Sequence, residues 1–580
     1  MIIGAGGAVV AYILTALIGL LTNIAYFGRW SFAFTPPSTD RLGAWSILIP
    51  VAGAVVVGLM ARYGAAAIRG HGIPEVMERV LYNRSQISPK IMFLKPLSTA
   101  VAIGTGGPFG AEGPIIATGG ALGSLIGQII HVTADERKTL LAAGAAAGMS
   151  ATFNSPVSAV LLAVELLLFE YRPRSLVPVA LASAVAAATR TLIATDAADF
   201  TVPPLHAASL SAVLVYVALG AVVGIAAVGI TRFVYWLEDL YDELPIHWMW
   251  WPAIGAVAVG LIGMVDQRTL GVGYANINHI IGGQLVGRAL LMLIVLKFLS
   301  WSIYLGSGTS GGTLAPLFTI GGGIGSLLGG AVMALAPGLG IDLHVAALIG
   351  MGGMFAGASH ALLASIVFTF EITRQSMELL PLLAGCSAAY LVSLLLMRYS
   401  IMTGKLARRG TQVRTEYTAD FLDRILVRDV ASRDVVMIEG TRLVSEVRDW
   451  LSTNTPETTH QGFPVTDARG ELLGVVTRRD LMDPRHADGY RVNDLVEGPP
   501  VVVFDENTLR EAADHMVREN VGRLPVVSPD APRRVIGIVS RSDLLDAHRH
   551  RLDAAMITET PPIGRGWLRH QARRRVTSRK

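Results

Sequence analysis

One acid in the first third of the chain is set apart by the residues around it. The segment GTGGPFGAEGP, residues 104–114, places five glycines and two prolines around a single carboxylate, Glu112, within a long apolar stretch. Glycine lets a backbone turn sharply and approach a ligand closely, and proline at a first helical position loses no hydrogen bond. A helix that begins here directs free N–H groups and partial positive charge toward the turn. The chemistry that this pattern predicts is anion binding by main-chain groups.

Two further segments, GHGIP (70–74) and GSGTSGGTLAP (306–316), also place small residues directly before an expected helix start. Several helix N-termini that converge within a membrane would replace the water around an anion without a full cation, which would hold the ion too tightly for rapid transit. The alternative is that these glycines only let helices pack closely. Because the segments occupy corresponding positions of two repeats, described below, the pattern favours an anionic cargo.

The elements that carry these segments are predicted to be membrane helices. The chain has 580 residues, of which 52% are hydrophobic and only 16% are charged, and its mean hydropathy is +0.50. Apolar runs such as residues 9–27 and 210–230 match a hydrocarbon layer of ~30 Å at about 1.5 Å per residue. Other runs are broken by glycine or proline, which predicts helices that end inside the membrane. Beyond residue 410 the composition is that of a soluble protein.

The chain termini and the cysteine content limit location and chemistry. The first residues, MIIGAGGAVVAY, lack the basic start and the cleavage site of a signal peptide and are expected to form part of a retained span. KLARRG (405–410) is predicted to be cytoplasmic by the positive-inside bias. The basic segment 565–580 is expected to lie near anionic lipid headgroups rather than to read nucleic acid. A single cysteine, Cys386, excludes an intramolecular disulfide and a cysteine metal cluster.

An internal repeat organises the membrane part. Three short segments recur at an offset of 201 or 202 residues, namely GHGIPEV (70–76) as GVGYANI (271–277), LKPLS (94–98) as LKFLS (296–300), and GSLIG (123–127) as GSLLG (325–329). After a four-residue slip, a fourth alignment pairs Glu165 with Glu371. Duplicated halves with interrupted helices are typical of transport proteins whose substrate binds near the membrane midplane. If each half crosses the membrane an odd number of times, the halves are inverted and their glycine-rich segments meet from opposite faces.

The segments GHGIPE, GPFGAEGP, FNSPVSAVLLAVE, GSGTSGGTLAP and SIMTGKLARRG resemble the signatures of the CLC family of chloride channels and chloride/proton exchangers. The resemblance covers residues 1–410. It implies an all-α polytopic membrane protein of the inverted-repeat CLC type, with repeats at about 1–200 and 201–410. It also implies a homodimer in the cell's inner or plasma membrane, with one pore per subunit and with chloride or another small anion as cargo.

The resemblance also implies roles for individual residues. Glu112 matches the family's gating glutamate, which occupies an anion site when ionised and swings aside when it is protonated or displaced. A structural glutamate in a salt bridge is the alternative. The residues expected around the anion come from the glycine-rich segments and from the segment after the last span: His71, Gly72, Ile73, Gly110, Ala111, Thr313, Leu314 and Met402. Thr313 and Leu314 would act through their backbone N–H groups.

Three of these positions depart from the family pattern that the resemblance implies. His71 stands where a serine usually helps to hold the anion, and Met402 stands where a tyrosine is usual, so both side-chain hydroxyl donors are absent. A histidine supplies an N–H donor, and a positive charge when it is protonated, unless it is only a packed side chain. Ala111 replaces a basic residue, which is expected to weaken the positive field at the outer entrance.

A fourth departure concerns protons. The family's exchangers usually carry a second acid directly after the glutamate of the FNSP helix, and here Leu166 occupies that proton-relay position. Leucine cannot relay a proton, and the familiar channels also lack this acid, although some exchangers manage without it. The difference favours a gated chloride channel over an exchanger with atypical coupling. Glu165 and Glu371 are expected to be structural and to accept hydrogen bonds from neighbouring backbone.

Residues 411–550 contain a second repeat, in which residues 461–482 align with residues 522–545. Each copy has alternating apolar strands followed by an amphipathic helix, which predicts an α/β module that occurs twice. The copies, at about 418–484 and 490–550, resemble a pair of CBS domains, the regulatory modules found on the cytoplasmic side of many CLC proteins. Residues 551–580 follow as a basic C-terminal tail.

Each copy carries the pattern G-h-x-[ST]-x-x-D, whose members are Gly474, Thr477 and Asp480 in the first and Gly537, Ser540 and Asp543 in the second. The spacing puts a hydroxyl at a helix cap and an acid on the first turn, where they can contact phosphate and ribose. CBS pairs hold adenine nucleotides at such positions, so ATP, ADP or AMP is the expected ligand. Plain helix capping explains the same residues equally well. No other cofactor is required.

The sequence contains no catalytic set, such as a nucleophile–base pair, a metal-ligand cluster or a phosphate loop. A CBS-regulated cation channel would need acids and carbonyl oxygens that face the ion, whereas these motifs present N–H groups. A membrane-bound nucleotide sensor without transport has no need of duplicated pore motifs. The sequence therefore predicts anion transport by a homodimer in a lipid bilayer, with no nucleic-acid partner.

Overall fold

The computed structural model describes residues 1–82, 85–130, 132–193, 200, 202–205, 207–408, 422, 425–453, 455–487, 489–496 and 498–556. The chain divides into two compact units, Met1–Tyr417 and Thr418–Lys580. The basic segment predicted at residues 565–580 lies outside the described residues.

Two matching series of helices build the first unit. Helices α1–α8 are Ile2–Phe27, Leu48–Leu59, Ile73–Tyr82, Pro89–Gly104, Glu112–Ile129, Ala134–Phe153, Pro156–Ala163 and Pro173–Ile193. Helices α9–α16 are Leu210–Asp242, Trp251–Val265, Tyr274–Ile281, Gly287–Gly306, Leu314–Leu335, Leu343–Ser359, Leu362–Thr373 and Leu379–Leu396, and a short α17, Gly404–Arg408, follows.

The helix starts reproduce the internal repeat. The equivalent helices α3 and α11 begin at Ile73 and Tyr274, and α5 and α13 begin at Glu112 and Leu314. Each of the three glycine-rich segments therefore ends at a helix N-terminus, as predicted. The glycines permit the turn that precedes each helix, and α5 and α13 both carry a proline in the first turn, where it removes no intrahelical bond.

Helix length decides which elements cross the membrane. Eight of the described helical segments are long and apolar enough to span a bilayer. By contrast, α3 has 10 residues and α11 has 8, so at about 1.5 Å per residue neither covers the ~30 Å of a hydrocarbon layer. These two helices follow glycine-rich turns, and the chain therefore changes direction at membrane depth, as the broken apolar runs predicted.

Two half-buried carboxylates join the halves reciprocally. Glu371 on α15 accepts hydrogen bonds from the amides of Val157 and Ser158 at 2.9 and 2.7 Å, at the start of α7. Glu165, just beyond α7, accepts bonds from the amides of Leu363 and Ala364 at 3.0 and 2.9 Å, at the start of α15. Each carboxylate thus caps the equivalent helix of the other half, where free N–H groups favour negative charge. The prediction that both glutamates are structural is confirmed.

Glycines inside the long helices serve close packing. A Cβ at Gly119 of α5 would overlap the carbonyl oxygen of Gly144 on α6, and a Cβ at Gly144 would overlap that of Gly119. The equivalent pair in the second half, Gly321 of α13 and Gly350 of α14, excludes side chains in the same way. Small residues at such crossings let two membrane helices approach closely. Close packing therefore explains these glycines, whereas the glycines before α3, α5 and α13 permit the turns that precede those helices.

The second unit contains two three-stranded sheets with the same topology. The strands are β1 Ile438–Glu439, β2 Gly462–Thr466, β3 Leu472–Thr477, β4 Val503–Phe504, β5 Arg523–Ser528 and β6 Ala531–Ser540. The helices are α18 Val427–Val430, α19 Val444–Ser452, α20 Arg478–Leu481, α21 Leu509–Arg518 and α22 Arg541–Met556. In each sheet the first strand pairs parallel to the second, and the second pairs antiparallel to the third. The prediction of an α/β module that occurs twice is confirmed.

Candidate functional site

The three glycine-rich turns meet at one place in the first unit. Gly110 and Gly312 exchange two main-chain hydrogen bonds, from Gly110 N to Gly312 O at 3.2 Å and from Gly312 N to Gly110 O at 2.8 Å. The third turn joins them because Gly70 N donates to Thr309 O at 3.0 Å. Segments separated by up to 240 residues in sequence are therefore held together by short β-type bridges. The predicted convergence of the glycine-rich segments is confirmed.

The bridge between Gly110 and Gly312 also relates the two repeats. These glycines are equivalent at an offset of 202 residues, and they pair antiparallel, as segments related by a local two-fold axis do. Helix α5 begins two residues after the first of them and α13 two residues after the second. The N–H groups in the first turn of each helix have no acceptor within their own helix. Two equivalent helix N-termini, one from each half, therefore open onto the same place.

Close backbone contact explains two glycines of the site. Gly72 has a φ of 95°, and a Cβ there would lie 2.6 Å from the carbonyl oxygen of Gly113. A Cβ at Gly113 would in turn overlap the carbonyl oxygen of His71. A side chain at either position would push the turn before α3 away from the start of α5. The glycines therefore allow main-chain groups, rather than side chains, to form the wall of the site.

Glu112 is the first residue of α5 and lies between these helix ends, with its side chain fully buried. One carboxylate oxygen, Oε1, accepts a hydrogen bond of 2.9 Å from the hydroxyl of Tyr274. The other oxygen, Oε2, has no hydrogen-bond partner, although the main-chain amides of Glu112 and Ala315 face the carboxylate. Among the described residues no lysine, arginine or histidine forms a salt bridge with Glu112. The geometry thus disfavours the structural salt bridge and places a carboxylate where an anion would receive N–H groups from both halves.

Thr313 and Ala111 hold equivalent positions at the mouths of the two helices. Each is the residue directly before its helix, Ala111 before α5 and Thr313 before α13. The Thr313 hydroxyl is buried and has no hydrogen-bond partner. Leu314, the first residue of α13, is buried beside it. The structure therefore brings together Gly110, Ala111, Glu112, Thr313 and Leu314, as the sequence predicted.

His71 and the segment around Met402 lie together on the other side of Gly113. The His71 side chain is only 6% exposed, and its Nδ1 atom is buried without a hydrogen-bond partner. The imidazole faces the main chain at Ile401, next to the fully buried Met402. The hydroxyls nearest Met402 in sequence, those of Ser400 and Thr403, bond to each other at 3.1 Å. At this end of the site the two predicted positions therefore carry an imidazole and a thioether instead of hydroxyl groups.

The residue at the expected proton-relay position, Leu166, is apolar. Leu166 is buried in a turn of π-helix that extends α7. The acid before it, Glu165, is occupied by the amides at the start of α15. Neither residue therefore offers a free carboxylate at this position.

Two buried lysines support the turns that carry the site. The Lys95 ammonium donates to the carbonyl oxygens of Ile68 and Gly70 at 2.8 and 2.7 Å. The equivalent Lys297 donates to those of Thr269 and Gly271, both at 2.9 Å. Sequence reasoning used the LKPLS and LKFLS segments only as markers of the repeat and missed this role. The signal was a lysine at the same position of two apolar runs, where an ionisable residue is costly unless it has a function.

The surroundings of these lysines differ in charge. Glu75, near Lys95, caps α3 by accepting a hydrogen bond of 2.9 Å from the amide of Gly72. Both Lys95 and Lys405 lie close enough to Glu75 to interact with its charge. The residue equivalent to Glu75 in the second half is Asn276, which donates to the carbonyl oxygen of Arg268 at 2.7 Å. The first half thus balances its buried lysine with an acid, whereas the second half uses a neutral amide.

A cavity of about 520 Å³, here called the inner cavity, adjoins Gly72 and Ala117. Its charged lining consists of five basic residues, Arg69, Arg79, Lys95, Lys405 and Arg408, and four acidic ones, Glu75, Glu78, Glu238 and Asp242. Lys405 and Arg408 belong to the basic segment after the last apolar run. The positive-inside bias therefore assigns this cavity to the cytoplasmic side.

A second cavity, of about 530 Å³ and here called the outer cavity, adjoins Ala111 and Tyr274. Arg190 on α8 is the only charged residue in the described part of its lining, and its Nη1 atom donates to the carbonyl oxygen of Thr152 at 2.7 Å. Arg190 also interacts electrostatically with Tyr274. A cation from a distant helix therefore lies in the cavity beside Ala111, which the motif itself could not reveal.

The two CBS-like copies of the second unit differ in their relation to a cavity. Both aspartates help to cap a helix, since Asp480 accepts from the main-chain amide of Thr477 at 2.9 Å and Asp543 accepts from that of Ser540 at 2.6 Å. Only Ser540 and Asp543 also line a cavity of about 310 Å³, whose polar walls include Ser432, Asp434, Thr459, His460, Gln461 and Arg523. Thr477 and Asp480 are not among the residues that line it.

The glycines of the two patterns also have local structural roles. Gly474 and Gly537 lie in β3 and β6, and their Cα atoms pair with Val465 and Val526. A Cβ at Gly474 would overlap the side chain of Val496. The structure therefore brings one of the two predicted nucleotide patterns to a cavity, through the hydroxyl and the acid rather than through the glycine.

Comparison with sequence profiles covers both units. A profile described as "Voltage gated chloride channel" matches residues 52–394. A profile described as "CBS domain" matches residues 427–485 and 492–550. The CBS resemblance of the two copies is thereby confirmed.

Similar proteins include both exchangers and channels by name. A Vibrio campbellii protein named "H(+)/Cl(-) exchange transporter ClcA" is 30% identical over 366 residues, which cover 61% of this chain and 78% of that protein. The Arabidopsis thaliana "Chloride channel protein CLC-f" is 27% identical over 421 residues, which cover 64% of this chain and 52% of that protein. A solved structure titled "Crystal Structure of a eukaryotic CLC transporter" has a TM-score of 0.60 at 20% identity and covers 93% of this chain and 96% of its own. This last match confirms the predicted fold class.

Proposed function

Because this chain belongs to the voltage gated chloride channel family and is an integral membrane protein of anion transport, we propose that it acts as a gated chloride channel. The observation that carries the proposal is the position of Glu112, whose buried carboxylate lies where the helix N-termini of both halves meet. An acid that faces main-chain N–H groups and accepts a hydrogen bond from one hydroxyl, with no salt bridge to a described cation, mimics the anion that would otherwise occupy the site.

The proposed mechanism is competition for one place. When Glu112 is ionised, its carboxylate fills the anion site and blocks the pathway between the inner and outer cavities. A chloride ion that arrives from either cavity competes for the same N–H groups, and a proton removes the charge that holds the carboxylate there. In both cases the side chain leaves the site. Chloride then passes from one cavity to the other without meeting a fixed cation that would trap it.

Three features support a channel rather than an exchanger. Leu166 offers no acid for proton relay, and Glu165 beside it is committed to capping α15. At the inner end of the site, His71 and Met402 stand in place of two hydroxyl donors. A constriction without those hydroxyls holds the anion less firmly, and leak through it would uncouple chloride from protons.

Chloride/proton exchange is the second candidate. It is favoured by the name of the Vibrio campbellii relative, "H(+)/Cl(-) exchange transporter ClcA". The Nδ1 atom of His71, buried and without a hydrogen-bond partner, is a proton acceptor at the inner end of the site. In an exchanger of this kind His71 would take the part that an acid at Leu166 usually has.

We further infer a homodimer with one pore per subunit, and an adenine nucleotide (ATP, ADP or AMP) as the ligand of the CBS pair. The cavity lined by Ser540 and Asp543 supports nucleotide binding, because it combines a helix cap with acidic and basic side chains. A bound nucleotide would alter flux only if its affinity differed between the open and closed states. Binding of labelled ATP and AMP to the purified protein tests the ligand, and its mass in detergent tests the dimer.

The deciding experiment measures chloride and proton movement together in liposomes that contain the purified protein. A channel passes chloride down its gradient while the internal pH stays constant. An exchanger moves protons uphill when only a chloride gradient is applied. Chloride flux equal to that of empty vesicles, at several pH values and with or without nucleotide, would contradict anion transport by either mechanism.

A further inference from the structure

We propose that Tyr274 is an outer latch for the gate, a positioning residue whose hydroxyl holds the ionised Glu112 carboxylate in the anion site. This inference rests on the proposed function, because it assigns the contact that keeps the pathway closed. The phenol donates to Oε1 of Glu112 at 2.9 Å across 162 residues of sequence. The other carboxylate oxygen has no hydrogen-bond partner. The Tyr274 hydroxyl is therefore the one side-chain group in the described residues that fixes this carboxylate.

The surroundings of Tyr274 hold its ring in place. Phe153 and Phe200 meet the ring edge-on, with centroid distances of 5.8 and 6.3 Å. Phe34 lies beside it at 6.4 Å. Edge-to-face contacts at such distances are the favoured arrangement of aromatic pairs. A ring fixed on several sides keeps its hydroxyl aimed at Glu112 and loses little conformational freedom when it binds the carboxylate.

The internal repeat explains why this hydroxyl is on the outer side. Tyr274 is the first residue of α11, and its equivalent at the start of α3 is Ile73, which has no polar side-chain atom. On the inner side His71 and Met402 also lack a hydroxyl. His71, Ile73 and Met402 thus supply no side-chain hydroxyl on the inner side, whereas Tyr274 supplies one at the repeat-equivalent outer position. The holding contact of the gate is therefore displaced to the outer half of the site.

The position of the latch also provides a route for release. Tyr274 and Ala111 both line the outer cavity of about 530 Å³. A hydrogen bond to an ionised acceptor is stronger than one to a neutral acceptor, so a proton on Glu112 weakens the contact. The carboxyl group is then free to turn into the cavity beside it, and chloride takes its place. No covalent bond changes in this step.

Among the described residues, few charged or titratable groups surround Tyr274 and Glu112. The phenol of Tyr274 faces the Glu112 carboxylate from α11, and Arg190 on α8 interacts with that phenol. From α13 the groups that face it are main-chain, through the amide of Ala315. The turn before α3 contributes the carbonyl oxygen of His71, close to Gly113. The response of the gate to pH is therefore set mainly by Glu112 itself, its hydroxyl partner and one nearby cation.

The test is Tyr274→Phe, which removes the hydroxyl and keeps the ring among its aromatic neighbours. A lost hydrogen bond to a charged group is worth about a tenfold change in the equilibrium between closed and open gate. We expect chloride flux at neutral pH to rise about tenfold, and the pH of half-maximal flux to move upward by about one unit, because a weaker hold on the ionised carboxylate lets a proton displace it at lower proton concentration. Tyr12→Phe, a matched change in a tyrosine that lines the same cavity on α1, should leave both quantities unchanged.

The double variant Tyr274→Phe with Glu112→Ala separates a latch from a structural role. If Tyr274 acts through Glu112, removing its hydroxyl has no further effect once the carboxylate is absent. An equal change in flux in both backgrounds, or an unchanged pH profile in the single variant, would overturn the proposal. Chloride binding by calorimetry gives an independent readout, since the variant should bind chloride about tenfold more tightly. If the wild-type protein binds chloride but passes none, the channel proposal fails while the latch can still be judged by this affinity.

Discussion

The inner and outer cavities have nearly the same volume, about 520 and 530 Å³, but very different chemistry. Among the described residues, nine charged ones line the inner cavity, five basic and four acidic, whereas Arg190 is the only charged one that lines the outer cavity. Between them the site itself is built from main-chain groups and Glu112. The comparison teaches that the anion site depends on peptide dipoles shared by both halves, while the two entrances have diverged after duplication.

The same divergence is visible in the supports of the site. Lys95 and Lys297 make equivalent bonds to main-chain carbonyl oxygens. Glu75 balances the first lysine, whereas Asn276 stands in the equivalent place near the second. The duplicated framework is therefore conserved between the halves where main-chain geometry requires it, and side-chain charge differs where each half faces its own cavity.

The largest effect is expected from Glu112→Ala, which tests whether peptide dipoles form the anion site. If peptide dipoles form the site and the acid only competes for it, the variant keeps chloride flux and loses most of its dependence on pH. In the wild-type protein we expect flux to change about tenfold per pH unit near the transition, since one carboxylate titrates. Flux measured in liposomes from pH 5 to pH 8 checks this expectation. A variant that no longer conducts, although it is folded and dimeric, would contradict the role given to Glu112.

Replacing the lysines tests the difference between their surroundings. Lys95→Met leaves the half-buried Glu75 with one cation fewer, and we expect the free energy of unfolding in detergent to fall by about 2 kcal/mol. Lys297→Met should cost less, because no described carboxylate interacts with that lysine. Both variants leave two carbonyl oxygens without their lysine donor. The additional loss of stability in Lys95→Met is therefore due to the charge of Glu75.

Glu75→Gln in the Lys95→Met chain supplies the matched control. This second substitution should restore most of the additional unfolding free energy that Lys95→Met loses, because the unbalanced charge of Glu75 is then absent. Equal losses for the two lysines, or no recovery in the double variant, would show that the charge of Glu75 has no part in the difference.

Arg190→Gln tests the role of the one cation among the described residues that line the outer cavity. We expect the initial rate of chloride entry from the outer side to fall about threefold at low ionic strength and to change little in ~0.5 M salt, because salt screens attraction at a distance. Arg190→Lys should retain most of the wild-type rate. A loss that is the same at low and high salt would assign Arg190 to packing, through its bond to Thr152, rather than to attraction of the anion.

The smallest effect is expected in the second duplication, where the comparison is between the two CBS copies. Asp543→Ala and Asp480→Ala remove equivalent capping acceptors and should each cost about 1 kcal/mol of stability. Asp543 lines the cavity of about 310 Å³ and Asp480 is not in its described lining, so only the substitution of Asp543 is expected to weaken binding of labelled ATP or AMP. Equal binding by both variants would mean that Asp543 is a cap and nothing more.

Much of the site was accessible from sequence because its signals are local. Glycine before a helix start and proline in its first turn act within a few residues, and they placed the starts of α3, α5 and α13 correctly. The repeat offset then predicted that the turns of both halves would meet, which the bridge between Gly110 and Gly312 confirmed. Hydrogen bonding of Glu165 and Glu371 to backbone was also predicted from their equivalent positions, although the capping of a helix in the other half was not.

The sequence by itself determined that helix ends with an acid lie at membrane depth in two related halves, because glycine, proline and apolar length dictate where a helix begins and whether it can span a bilayer. Only the tertiary structure decided which distant side chains serve that site. Tyr274 reaches Glu112 from the other repeat, and Arg190 reaches the cavity beside Ala111 from α8. Such contacts depend on how helices cross, and helix crossing is set by packing between residues that no local pattern connects.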